Sequence, residues 1–157
     1  KSQEGIAKIV RFLDFMSESG DRSKPDTGDL GRTIVIGGSG NGKSIRIIGN
    51  KLYLGRTVGN VEFYILDISD PENPSILGSN NVNSSINDLV VAGDYAYLAT
   101  GETGSEFQIL NISDDANPTL LGKHNFTDEA TGIDYEDNLI YISNENADAL
   151  IIIKPGD

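Results

Sequence analysis

The chain has 157 residues and carries 12 lysines and arginines against 24 aspartates and glutamates, a formal charge of -12. That field repels phosphate backbones and anionic lipid, which excludes nucleic acid as a partner and argues against direct membrane contact, leaving neutral, basic or cationic partners. There is no cysteine, which excludes disulfide frameworks and thiolate chemistry, and no apolar run reaches the length that spans a bilayer.

Residues Ser2 to Met16 place Ile6, Ile9, Val10, Leu13 and Met16 at helical spacing, with Phe12 and Phe15 widening the stripe. This pattern predicts an amphipathic helix that must lie on something. Ser17 to Gly31 loses all periodicity and reads as an irregular linker, so residues 1–31 form one segment and 32–157 another. The chain opens at Lys1 rather than methionine, for which a processed or trimmed start is expected, with a signal or anchor upstream left open.

From Arg32 the pattern becomes β. The runs Thr33 to Ile36, Ile45 to Ile48, Lys51 to Leu54 and Val61 to Ile68 are short, rich in β-branched and aromatic residues, and separated by Gly, Asn and Asp. Between the first two lies Gly37-Gly38-Ser39-Gly40-Asn41-Gly42-Lys43-Ser44, which satisfies the phosphate-loop pattern. A phosphate loop needs a helix to follow, so that amides and the first helical turn converge on phosphate. Here an alternating hairpin follows, which favours a Gly-rich connection over nucleotide hydrolysis.

Glu62-Phe63-Tyr64-Ile65-Leu66-Asp67-Ile68-Ser69-Asp70 returns as Glu106-Phe107-Gln108-Ile109-Leu110-Asn111-Ile112-Ser113-Asp114. The same offset lays Gly49 to Leu54 on Gly93 to Leu98 and on Asp137 to Ile142, and Asn73-Pro74 on Asn117-Pro118. Each unit reads as four antiparallel strands; in the middle unit these are about Asn87 to Ala92, Tyr95 to Thr100, Ser105 to Ile112 and Thr119 to Phe126. A sheet of this size buries both faces only by stacking on neighbours around an axis, which is a propeller blade. Asp70 to Pro74 and Asp114 to Pro118 read as structural turns, and Tyr53, Tyr97 and Tyr141 as equivalent packing residues between blades.

The fold class is therefore all-β, a partial propeller of about three four-stranded blades with an N-terminal amphipathic helix. The units fall at about 43–86, 87–130 and 131–157, with strand 33–36 as a candidate closing strand. The third unit lacks the Asp-Ile-Ser-Asp-Pro piece and a fourth strand. Closed rings need at least four blades, so completion by another chain or by a missing segment is expected.

At Tyr64 to Ser79 and Ile86 to Ala99 the sequence resembles the LVIVD-repeat β-propellers, whose naming segment appears here as Tyr64-Ile65-Leu66-Asp67 and Gln108-Ile109-Leu110-Asn111. The resemblance covers about Ser44 to Ile153. It implies a bacterial or archaeal surface or secreted protein, and brings no catalytic residues with it. The N-terminal helix is also similar to the soluble half of a pilin or pseudopilin stem, which would imply a pilus or surface anchor.

No convergent nucleophile, base and metal set is present. His124 is the single imidazole and falls in an outer strand, which excludes a His-rich zinc site within one chain. The triplets at Asn83, Asn111 and Asn125 that match a glycosylation acceptor arise readily in a chain so rich in Asn and Ser. What remains is one rim, where innermost strands and the loops joining second to third strands carry Arg56, Asn87, Asp88, Glu102, Asn144 and Glu145. Asp88, Glu102 and Glu145 are the candidate calcium ligands, although no cofactor is required. The leading expectation is a noncatalytic extracellular binding or scaffolding module that recognises protein or carbohydrate through rim loops that differ between units. The alternatives are a calcium-dependent or acid-pair enzyme acting on carbohydrate or another exported polymer, or a structural surface or pilus-tip component.

Overall fold

The computed structural model of the chain describes residues 36–37, 39–57, 59–101, 104–126, 128–145 and 150–154. The helix expected over 2–16, with its pilin-like resemblance, the linker to 31, and most of the expected strand 33–36 lie outside them.

Eleven strands form three antiparallel sheets among the described residues. The first holds β1 (Gly42–Ile48), β2 (Lys51–Arg56), β3 (Phe63–Asp67) and β4 (Ser75–Asn80) in that order. The second repeats it with β5 (Ile86–Ala92), β6 (Tyr95–Thr100), β7 (Phe107–Asn111) and β8 (Thr119–His124), and the third has β9 (Ala130–Glu136), β10 (Leu139–Asn144) and β11 (Leu150–Ile153). Ile45 onward is strand, as the hairpin reading requires, and Gly42-Lys43-Ser44 already belong to β1.

The inner hairpins close through two-residue turns whose chemistry changes along the chain. Gly49 (φ 61°) and Gly93 (φ 57°) take the left-handed position at the first turn residue. Asp137 (φ 51°) and Asn138 (φ 63°) both take it in the third, a pairing that Asp and Asn tolerate.

β1 lies against β5 and β5 against β9, so the three innermost strands face one another and the sheets fan outward from them. Two seams form the core. In the first, Tyr53, Phe63 and Ile65 of one blade pack on Ile86, Leu89, Ala96 and Leu98 of the next. In the second, Tyr97, Ala99 and Phe107 pack on Ala130, Ile133, Ile140 and Ile142. Tyr53 stacks on Phe63 at 6.5 Å between ring centroids, and Tyr97 on Phe107 at 6.3 Å, so residues one period apart occupy equivalent places.

The third blade departs by one residue. Tyr53 pairs with Ile65 and Tyr97 with Ile109, whereas Tyr141 pairs with Ile152 rather than Ile153. The connection before β11 is one residue shorter than its counterparts, which puts Leu150 and Ile152 where Phe63 and Ile65 stand in the first blade. Because side chains alternate across a strand, this slip decides which of them face the second seam and which face outward.

Candidate functional site

The end of the arc at which β1, β5 and β9 begin is built on a bulge repeated three times. Gly42 pairs with Arg56 and Ser44 with Gly55; Ile86 pairs with Thr100 and Asp88 with Ala99; Ala130 pairs with Asn144 and Gly132 with Ser143. Lys43, Asn87 and Thr131 are thus the unpaired residues of three equivalent bulges, a device that re-aims a side chain away from the ladder. The backbone is constant at these positions and the side chains differ.

They are linked across the blades. The Lys43 ammonium donates to Asn87 Oδ1, and Asn87 Nδ2 donates to Glu129 Oε1 (2.7 Å) and to the Ala130 carbonyl (2.7 Å). One step along the strands, Arg46 pairs with Asp88 Oδ1 at 3.1 Å, while Asp88 Oδ2 accepts the Ile133 amide at 3.2 Å. Asp88 therefore ties all three innermost strands together. Lys43, the lysine of the phosphate-loop pattern, belongs to this network and begins a strand with no helix behind it.

Arg56 sits at the same level but is buried. Its guanidinium donates to the carbonyls of Gly37 and Gly40 and to the Tyr64 hydroxyl, and lies over the Tyr64 ring at 5.4 Å. Its role in the structure is to hold the Gly-rich connection against the first blade. Asn144 is also buried, and its Oδ1 has no hydrogen-bond partner among the described residues. Glu145 is exposed, its amide donating to the Glu129 carbonyl at 3.2 Å. Glu102 lies outside the described residues.

The calcium reading requires six to eight oxygens around one point. Asp88 instead spends its carboxylate on Arg46 and on the amides of Leu89 and Ile133. No group of three or more His, Cys, Asp or Glu residues that could hold a metal occurs among the described residues.

Polar residues that do repeat serve the frame. Glu62 is fully buried and accepts amides from Gly59 (2.9 Å), Val82 (3.1 Å) and Asn83 (3.2 Å). Its counterpart Glu106, 2% exposed, accepts amides from Gly104 (2.7 Å) and Phe126 (2.8 Å). Each carboxylate joins the loop after the second strand to the segment leaving the fourth, replacing lost hydration with charge-assisted hydrogen bonds. This role was not read from the sequence, although the exact return of Glu-Phe was its visible signal.

Asp70 and Asp114 accept amides from Glu72 (2.9 Å) and Ala116 (3.0 Å) and the side-chain amides of Asn73 and Asn117 (both 2.8 Å), as the turn reading anticipates. Hydrogen bonds from Asn117 and the Ala116 amide hold the Asp114 carboxyl below its ordinary value, and the Ser69 amide does the same for Asp67. Burial pushes the Tyr53 and Tyr97 phenols upward. These shifts all belong to turns and seams rather than to the bulged end.

Fold and site together define a partial β-propeller with a rigid repeated frame and a variable inner end. Two copies of the LVIVD repeat match at residues 39–82 and 85–125, together more than half of the sequence, and the chain belongs to that family. Among solved structures it is similar to the computationally designed Ika4 protein, with TM-score 0.58 and 16% identity over 73% of this chain and 66% of that one. It is also similar to the computationally designed Ika8 protein, with TM-score 0.57 and 15% identity over 71% of this chain and 32% of that one. This chain thus spans about two thirds of the first and one third of the second, and the likeness concerns the fold. No curated protein matches.

Proposed function

We propose that the chain is a noncatalytic binding or scaffolding module, displayed outside the cell, that recognises protein or carbohydrate through the bulged end of the arc. The observation that carries this reading is the contrast between repeated and unrepeated polar residues. Glu62 and Glu106, and Asp70 and Asp114, recur and are consumed by turns and loops, whereas the equivalent bulge positions carry Lys43, Asn87 and Thr131. A shared frame with differing side chains at equivalent re-aimed positions is the pattern of a recognition surface. The charge of -12 favours a neutral or basic partner.

The test is binding of the purified chain to arrays of glycans, envelope polysaccharides and basic peptides, with and without added calcium. Saturable binding is expected, weakened about tenfold by the combined changes Asn87→Ala and Glu145→Ala, with circular dichroism showing the variant still folded although Asn87→Ala also removes the links to Lys43, Glu129 and Ala130. The ligand should be recovered chemically intact. Binding indifferent to those changes refutes the assigned surface. Cleavage of the ligand would establish the enzymatic alternative, for which calcium dependence would point to a metal and its absence to an acid pair. Display is tested separately by digesting intact source cells with protease, which removes a displayed chain and spares an internal one.

A further inference from the structure

The described sheets present two outward faces, one on the first blade and one on the third, and the repeat identifies each as one half of a blade seam. Both seams among the described residues join a face bearing Tyr and Phe to one that is mainly aliphatic: Tyr53, Phe63 and Ile65 meet Leu89 and Leu98, then Tyr97 and Phe107 meet Ile133 and Ile142, with Tyr135 added on the second side and stacked on Tyr97 at 5.8 Å. The outward face of the third blade carries the next members of the first set, Tyr141, Leu150 and Ile152, placed there by the observed register. The outward face of the first blade carries members of the second set, Ile45, Ile47 and Leu54, with Ile45 and Ile47 one period before Leu89 and Val91. Leu150 is 61% exposed where Phe107 is 3%, and Ile47 is 58% exposed.

A second, independent feature is the size of the residues that meet next to the bulge. At the first seam Gly55 faces Ile86, since a Cβ on Gly55 would stand 2.6 Å from Ile86 Cγ2. At the second, the equivalent positions hold Ala99 and Ala130, both fully buried. The pair left over is Ser143 on the third blade and Gly42 on the first. The three pairs therefore run Gly with Ile, Ala with Ala, and Ser with Gly, so the leftover pair consists of two small residues. No bulky side chain at this level therefore opposes the approach of a third blade to a first.

We propose that a second copy of this chain covers both faces, the third blade of each copy docking on the first blade of the other in a head-to-tail pair. The two seams so formed are of the same kind as the two inside the chain. Three sheets from each copy give six around one axis, within the range in which propellers close. The contact is heterologous, and because it closes after two copies it leaves no apolar sheet face open.

The experiment is sedimentation velocity with light scattering on the 157-residue chain across the micromolar range, for the parent, for Ile47→Asp and for Ile152→Asp. Both sites are more than half exposed in the single chain, and circular dichroism verifies that each variant remains folded. The parent is expected at twice 16.8 kDa, and each substitution should weaken the pair by about thirtyfold or more. Mixing the two variants gathers both substitutions into one seam and leaves the other unaltered, so paired molecules should recover in part, above the level of either variant alone. A parent of single-chain mass, a mass that keeps growing with concentration, a pair indifferent to either substitution, or a mixture that fails to recover would each overturn the proposal.

Discussion

Replacing Gly55 with alanine tests the seam between the first two blades directly. The added methyl would stand 2.6 Å from Ile86 Cγ2 and 3.1 Å from Ile86 Cβ, where apolar carbons prefer about 3.5–4.0 Å. It would also crowd the Ser44 hydroxyl, but that group can rotate. Ile86 cannot yield so easily, because it is fully buried and branched at Cβ. Relief requires β2 and β5 to separate, and overpacking of this kind costs about 1–3 kcal/mol. Ile86→Ala alone leaves a cavity and should cost about 2–5 kcal/mol. The double variant recreates the alanine pair found at Ala99 and Ala130, so it should be more stable than the two losses predict, with a coupling of about 1–3 kcal/mol. Urea unfolding at constant slope measures all three. Losses that add to within about 0.5 kcal/mol, or a Gly55→Ala chain as stable as the parent, would refute the volume argument.

Glu62→Gln leaves a single acceptor oxygen for three converging amides and should destabilise the chain by about 1.5–3 kcal/mol, with faster hydrogen exchange at Val82 and Asn83. Unchanged exchange there would show that the carboxylate is not the clamp. The Asp67 and Asp114 carboxyls are held below their ordinary 3.8, so their contribution is complete above the unfolded value and is lost as pH falls through the lower folded value. Asp114→Asn should flatten that acid limb of the stability curve, and an unaltered limb would contradict it. Lys43→Ala removes the link to Asn87 and should cost no more than about 1 kcal/mol, with no magnesium-dependent ATP binding before or after the change. Nucleotide affinity lost with Lys43 would instead restore the phosphate-loop reading.

The sheets were legible because a blade repeats its buried positions at a fixed spacing. In the middle unit the expected strands agree with β5 to β8 to within two residues at each end. The phosphate-loop pattern could be set aside for the same reason, since the repeat demanded a strand after Lys43 and β1 supplies it. The bulge was not legible: Lys43, Asn87 and Thr131 share no side-chain chemistry, and only backbone pairing reveals their common place. Rim position alone also could not separate Arg56 from Asn87. The first is drawn inward by the carbonyls of Gly37 and Gly40, the second reaches across to the next blade. The shortened connection before β11 escaped because its short aliphatic run fits two registers equally well, and pairing with Tyr141 decides between them.

The graded glycine, alanine and serine at positions 55, 99 and 143 mean that the units, although copies in outline, are not interchangeable parts. Transposing two of them, or duplicating one in tandem, would set Ile86 against Ala99 or leave Gly55 opposite Ala130, jamming one joint and loosening another. Any inserted copy of a unit would thus need matching changes on both of its shoulders before it could seat between its neighbours.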